Sequence, residues 1–156
     1  MRVQPVARFE PRDPEFEAKV RESFGRQTAM QTLGAVIGRV EPGVVEIEMP
    51  CRADLAQEHG SMHGGIVTAI VDSACGFAAF SLSAPETGIL TVEYKVNFIA
   101  PAKGDRLLAR GEVVRPGAAV TVCKGDVLAY DGGEEKLVAS MLMTMMLMPN
   151  RPDLAN

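Results

Sequence analysis

The apolar positions of this chain fall into two rhythms. Phe16, Val20 and Phe24 recur every four residues, which predicts a helix ending near Gly25. Asp13-Pro14 supplies its start, with Asp as the cap and Pro at the first helical position. Met30 and Leu33 predict a further short helical turn. From Ala35 the rhythm becomes that of extended chain. Residues 35–40 and 44–49 flank Glu41-Pro42-Gly43, a turn signal, so a hairpin is expected. Four more strands are predicted further on. The first, over 91–98, alternates Val92, Tyr94, Val96 and Phe98 with Thr91, Glu93, Lys95 and Asn97 and is stopped by Pro101. The second, over 105–115, ends at Pro116-Gly117, and the third, over 118–130, ends at the turn Asp131-Gly132-Gly133. The fourth, over 137–148, is rich in methionine and stops at Pro149.

Between the hairpin and these strands lies the stretch His63-Gly64-Gly65 followed by residues 66–80, apolar on nearly every side. A helix that is hydrophobic all round is a buried one. It is too short to span a membrane and carries a carboxylate, Asp72. The order is therefore helix, two strands, one buried helix, four strands. That order predicts an α+β domain whose long, curved antiparallel sheet wraps around a single central helix, with an N-terminal helical flap. The expected division is an arm and flap over 1–32, one domain over 33–149 and a tail over 150–156.

The chain has 156 residues, enough for one domain with a real core. A net charge of −4 leaves no basic surface for nucleic acid. The first twenty residues are charged and proline-rich and do not read as a signal peptide. Cys51, Cys75 and Cys123 are odd in number, lack metal-ligand spacing and read as reduced thiols. A cytoplasmic protein that does not enter membranes is the expectation.

Asp72 is the anomaly of the pattern, because an unpaired carboxylate in an apolar helix is costly unless it finds partners or shifts its pKa. A structural role and a catalytic one are both open to it. The helix mouth favours the catalytic one. Gly64 and Gly65 allow close backbone approach, and the first N–H groups of a helix have no internal partner and lie at its electropositive end. An oxyanion or polarised carbonyl fits there. Gly65 and Asp72 are two helical turns apart, ~10 Å at 1.5 Å per residue. One reacting carbonyl cannot touch both. A second copy of the helix, antiparallel across a two-fold axis, would bring one chain's glycine end to the other's Asp72. The small-sided face of Gly65, Thr68, Ala69, Asp72 and Gly76 permits that approach. A homodimer with shared sites is therefore expected.

The hairpin, the His63-Gly64-Gly65 turn, Asp72 nine residues after the histidine and the four following strands together resemble the hot-dog fold. More narrowly they resemble its acyl-CoA thioesterases of the phenylacetate-degradation type, over roughly 33–148. The resemblance implies hydrolysis of an acyl-CoA thioester without a cofactor or metal, in a homodimer or a dimer of dimers. It implies that Asp72 is the general base or nucleophile, and that the Gly64 N–H, with Gly65 close behind, polarises the carbonyl. His63 is implied to contact the thioester or leaving group, and Thr91 to help place the attacking water. Gln57 stands where the family usually has Asn, an amide one methylene longer. Phe77 and Phe80 on the helix, Met30 on the flap and the methionine-rich last strand are the candidate acyl-lining groups, leaning toward medium- or long-chain fatty or aryl acyl. Arg52, Lys103, Arg106, Arg110, Arg115 and Lys124 are candidates for the CoA phosphates. Thioester chemistry needs only these parts, since a thiolate leaves readily. A metal held by His59 and His63 would lack a third ligand of suitable spacing. Two rival readings use the same fold: a non-catalytic acyl-CoA-binding module, which would not need Asp72, and a dehydratase, which would pair His with a carboxylate in a different motif.

Overall fold

The computed structural model describes residues 9–151 and 153–154. Residues 1–8 of the expected arm lie outside them. Helix α1 spans Phe16–Gly25 and α2 spans Thr28–Leu33. Strands β1 (Val36–Glu41) and β2 (Val44–Pro50) form the hairpin, turned by Gly43 at φ +80°. A loop with one 3-10 turn leads to α3, Gly64–Phe80, followed by β3 (Gly88–Phe98), β4 (Arg106–Arg115), β5 (Val120–Asp131) and β6 (Glu134–Met148). The six strands make one antiparallel sheet in the order β1-β2-β4-β5-β6-β3. This is the expected α+β architecture, a hot-dog fold with the sheet around α3 and a helical region at the N-terminus.

Period-two alternation decides what faces the helix. Met141, Met143 and Met145 of β6 point inward and are buried, while Met146 between strands β5 and β3 points outward and is 41% exposed. Inward positions of β2 and β4 (Ile47, Met49, Leu107, Ala109) join Val67, Ile70, Val71 and Ala74 of α3 in one core. Two strand positions that face the helix are glycine because there is no room for more. A Cβ on Gly111 would overlap the Ala74 backbone, and one on Gly125 would overlap Val71 and lie 2.7 Å from Cys75 Sγ. The close seating of α3 on the sheet therefore rests on these two residues. Gly111→Ala is expected to cost ~3 kcal/mol, the upper part of the usual range for overpacking, and to lower Tm by about 6–12 °C in a domain of this size. A thermal melt within ~2 °C of wild type would contradict the packing described here.

The flap covers the C-terminal half of α3. Phe24 meets Phe77 edge-on with centroids 5.8 Å apart, and Val20, Met30 and Leu33 are buried in the core. Lys19 ties the flap to the end of α3: it donates to the Ser83 carbonyl at 3.0 Å, pairs with Asp13 at 3.3 Å and lies 4.7 Å from the centre of the Phe80 ring. This explains one departure from the sequence pattern. Asp13 does not cap the helix with Pro14 at its first position; α1 starts at Phe16. The Asp13 carboxylate instead accepts from the Glu15 N–H at 2.9 Å and holds Lys19, which places Pro14 in the preceding turn. α3 is accordingly buried all round only in its second half. Its first half has one open side, with Gly65 exposed and Ala69, Asp72 and Ser73 half-buried.

Candidate active site

α3 presents two chemical features on that open side. The first is its N-terminus. His63 caps it, its ring Nδ1 accepting from the Gly65 N–H at 2.9 Å, while the Ile66 and Val67 N–H groups both bond to the His63 carbonyl. The Gly64 N–H is left without a hydrogen-bond partner among the described residues. Of the two glycine donors, one is thus occupied inside the chain and one is available. Phe98 stands over this end: a Cβ on Gly64 would lie 3.1 Å from its ring. Gln57 lies in the loop before the helix, closed by a bridge between Ala56 and Met62. Its backbone N–H bonds to Ser61 at 2.8 Å, and its side-chain carbonyl accepts from the His59 N–H. His59 itself is exposed and faces Glu58 at 3.7 Å.

The second feature is Asp72, two turns along. The Thr91 hydroxyl, reaching over from β3, donates to Asp72 Oδ1 at 2.9 Å. That leaves Oδ2 of the carboxylate for a water or a substrate carbon. Met145 Sδ lies 3.6 Å from the same hydroxyl. Burial pushes the Asp72 carboxyl above its usual range, and the Thr91 hydrogen bond opposes the shift. A raised pKa makes the carboxylate a stronger base.

The shift has a consequence for stability. The folded protein holds the Asp72 proton to higher pH than the unfolded chain does. The contribution of Asp72 to stability is therefore fullest below the ordinary Asp pKa and is lost as pH rises through the raised value. Asp72→Asn lacks that loss. Its Tm is expected to gain on wild type as pH rises from about 4 to neutrality, measured by melts across that range. A difference that does not move with pH would contradict it.

A cavity of about 370 Å³ opens beside the carboxylate. Asp72, Thr91, Phe77 and Phe80 all line it, with Gly76 and Met145 between them. His63, Gly64, Gly65 and Gln57 do not; they lie at the other end of the open face, ~10 Å away at the helical rise. Met30 does not line it either and is 3% exposed in the core below the flap. The structure also adds residues that the sequence pattern does not single out. Ser23, Arg26 and Gln27 from the flap form one wall, and Leu154 from the C-terminal segment another, where it packs against Gly88. Ser23 lies in the last turn of α1 and Arg26 and Gln27 lie in its link to α2, and nothing in the sequence says that this link borders the same cavity as Asp72. Of the six candidate phosphate ligands, Arg52, Arg106, Arg110 and Lys124 are paired with Asp54, Glu48, Glu46 and Glu112. Lys103 and Arg115 have no ion-pair partner among the described residues. No three His, Cys, Asp or Glu side chains among the described residues are grouped to hold a metal ion.

A long helix seated in an antiparallel sheet, with a lone carboxylate on its open face and a donor at its mouth, is the frame of a thioester hydrolase. The profile of the Thioesterase superfamily matches residues 59–136, half of the chain, and the protein belongs to that family. A thioesterase family protein from Silicibacter pomeroyi, known from a crystal structure, is 49% identical and superposes with a TM-score of 0.85, covering 86% of this chain and 98% of that one. The PaaI protein of the E. coli phenylacetic acid degradation operon has the same fold, with a TM-score of 0.77 at 20% identity over 85% of this chain and 92% of its own. A protein of Saccharolobus solfataricus provisionally named an esterase is 28% identical over 115 residues, 74% of this chain and 75% of that one. Thioester hydrolysis is the chemistry of this enzyme.

Proposed function

We propose that the protein hydrolyses acyl-CoA thioesters, as an enzyme of the PaaI-like type, with Asp72 carrying the chemistry. The observation that carries this is the hydrogen-bonded Asp72–Thr91 pair lining a cavity of about 370 Å³. Asp72 takes a proton from a water held with the help of the Thr91 hydroxyl. The water oxygen adds to the thioester carbon, and the oxyanion forms against the Gly64 N–H. The C–S bond then breaks, CoA leaves as thiolate and takes up the proton, and the free acid remains. Direct attack by Oδ2 through an anhydride uses the same geometry. His63 holds the mouth in shape through Gly65 and lies beside the leaving group, and the Gln57 amide assists by hydrogen bonding. Phe77 and Phe80 line the acyl group, and a cavity of about 370 Å³ suits a medium-length or aryl acyl group better than a long one. Lys103 follows Ala102, whose carbonyl accepts from Met62 beside the helix mouth, and is the basic residue we assign to a CoA phosphate.

The active unit in this reading is a homodimer. β3 is an unpaired sheet edge that exposes Leu90, Val92, Tyr94 and Phe98, apolar residues that a second copy would cover. Antiparallel apposition of two α3 helices then brings each Gly64 to the other subunit's Asp72. The outward pair Val120 and Met146, with Leu142, offers a surface for joining two dimers. No helix among the described residues is long and apolar enough to cross a membrane, and the three free cysteines fit a cytoplasmic setting.

The test is release of CoA. A panel of acyl-CoAs of graded length, with phenylacetyl-CoA included, is incubated with enzyme and a thiol reagent. Turnover is expected with medium-length or aryl groups. Binding of these ligands without CoA release would favour the non-catalytic module instead.

A further inference from the structure

The acyl cavity has two unlike walls. One is apolar: Phe77, Phe80, Gly76, Ile89 and Met145. The other comes from the flap and offers donors. Ser23 in the last turn of α1 and Arg26 and Gln27 in the link to α2 all line it. The Gln27 side-chain carbonyl accepts from Ser73 Oγ at 3.3 Å, which turns the amide so that its NH2 group is the free end. Neither that NH2 group nor the Ser23 hydroxyl has a partner among the described residues. Arg26 uses one guanidinium nitrogen on Glu22, at 2.7 Å, and Glu22 is largely exposed and does not line the cavity. Exposed helix pairs of this kind are weak, so the guanidinium remains free to recruit another anion. Apart from Asp72, Arg26 is the one charged residue among those lining the cavity.

Ser23 and Gln27 are half-buried and Arg26 is exposed, so a plain hydrocarbon lying against them would displace water from these donors without offering an acceptor. A carboxylate satisfies them together. It accepts several hydrogen bonds at once, and a planar guanidinium matches it in shape and charge. Resting on the thioesterase reading above, we propose that the flap residues Arg26 and Gln27 determine specificity, selecting acyl groups that end in a carboxylate. The substrate class is then the mono-CoA thioester of a dicarboxylic acid. The thioester lies at Asp72, the methylenes run over Gly76 between Phe77 and Met145, and the distal carboxylate reaches the flap wall. These residues precede the segment matched by the family profile.

The test compares kcat/KM for four-, six- and eight-carbon acyl-CoAs, each ending in a carboxylate, a hydroxyl or a methyl group. At the best length the carboxylate form is expected to exceed the methyl form by about tenfold, the effect of one good charge-assisted hydrogen bond. Arg26→Gln and Gln27→Leu should each bring that ratio toward one, mainly by raising KM for the carboxylate substrate. Arg21→Gln, on α1 but outside the cavity, should keep the ratio. A wild-type ratio at or below one at every length overturns the inference. So does a ratio that survives both flap variants, or a preference for the hydroxyl form over the carboxylate. Hydrolysis of the methyl series alone overturns the inference and leaves the thioesterase reading standing, whereas no CoA release from any member of the set overturns both.

Discussion

Asp72→Asn is expected to lower kcat by at least ~10²-fold with the fold intact, the usual scale for a positioned acid–base group. The substitution keeps the shape of the side chain and an oxygen to accept the Thr91 hydroxyl, which lies 2.9 Å away in the native protein. It removes only the ability to take a proton or to attack carbon. Asp72 is half-buried and is the one acidic residue among those lining the cavity, so no second carboxylate there can take over. The loss should appear in kcat with KM little changed, because the amide still fills the same space. A melting curve on the same sample separates lost chemistry from lost structure. Turnover near the wild-type rate in a folded Asp72→Asn protein would remove Asp72 from the mechanism.

Much of this arrangement is legible in the sequence, and the exceptions have physical reasons. The central helix is announced by its apolar run, and the hairpin by Glu41-Pro42-Gly43. Thr91 is less direct. Strict alternation along β3 would put it with Glu93 on the outward face. The structure has a bulge between Thr91 and Glu93, so Thr91 lies opposite the inward Met145 and Tyr94 opposite the inward Met143. One extra residue turns Thr91 toward Asp72, and period-two reading has no way to see it. The same strand looks half-buried by pattern, yet Val92, Tyr94 and Phe98 are 53%, 45% and 55% exposed. The proposed dimer would cover these apolar positions. The flap's part in the cavity is the least legible feature. Its apolar stripe reports only that it packs somewhere, and the polar residues that line the cavity with Asp72 sit between those apolar positions. Met30 shows the converse: an apolar residue on the flap is consistent with an acyl lining, and packing instead takes it into the core.

The second large effect concerns the helix mouth. Gly64→Pro deletes the N–H that has no partner in the chain, and with it the donor assigned to the oxyanion. Loss of one such donor commonly costs about 10²–10³-fold in kcat. Proline is suited to the first turn of a helix, so the helix itself is expected to form. The residue also adds bulk under Phe98, whose ring lies 3.1 Å from where a Cβ would stand. Gly64→Ala adds the same Cβ but keeps the N–H, and should retain most of the activity that Gly64→Pro loses. Equal loss in both variants would assign the effect to crowding against Phe98 rather than to the donor.

The central claim is that each active site takes Asp72 from one subunit and the Gly64 N–H from its neighbour, and mixing the two inactive variants tests it most directly. Asp72→Asn and Gly64→Pro proteins are dissociated, combined in equal amounts and reassociated, and CoA release is measured on the best substrate. Random pairing makes about half of the dimers mixed, and in each mixed dimer one of the two sites holds an intact Asp72 facing an intact Gly64. Activity should therefore return to about a quarter of wild type from two nearly inactive parents. If mixed dimers are present and folded and the activity stays at the level of the parents, the shared site is contradicted.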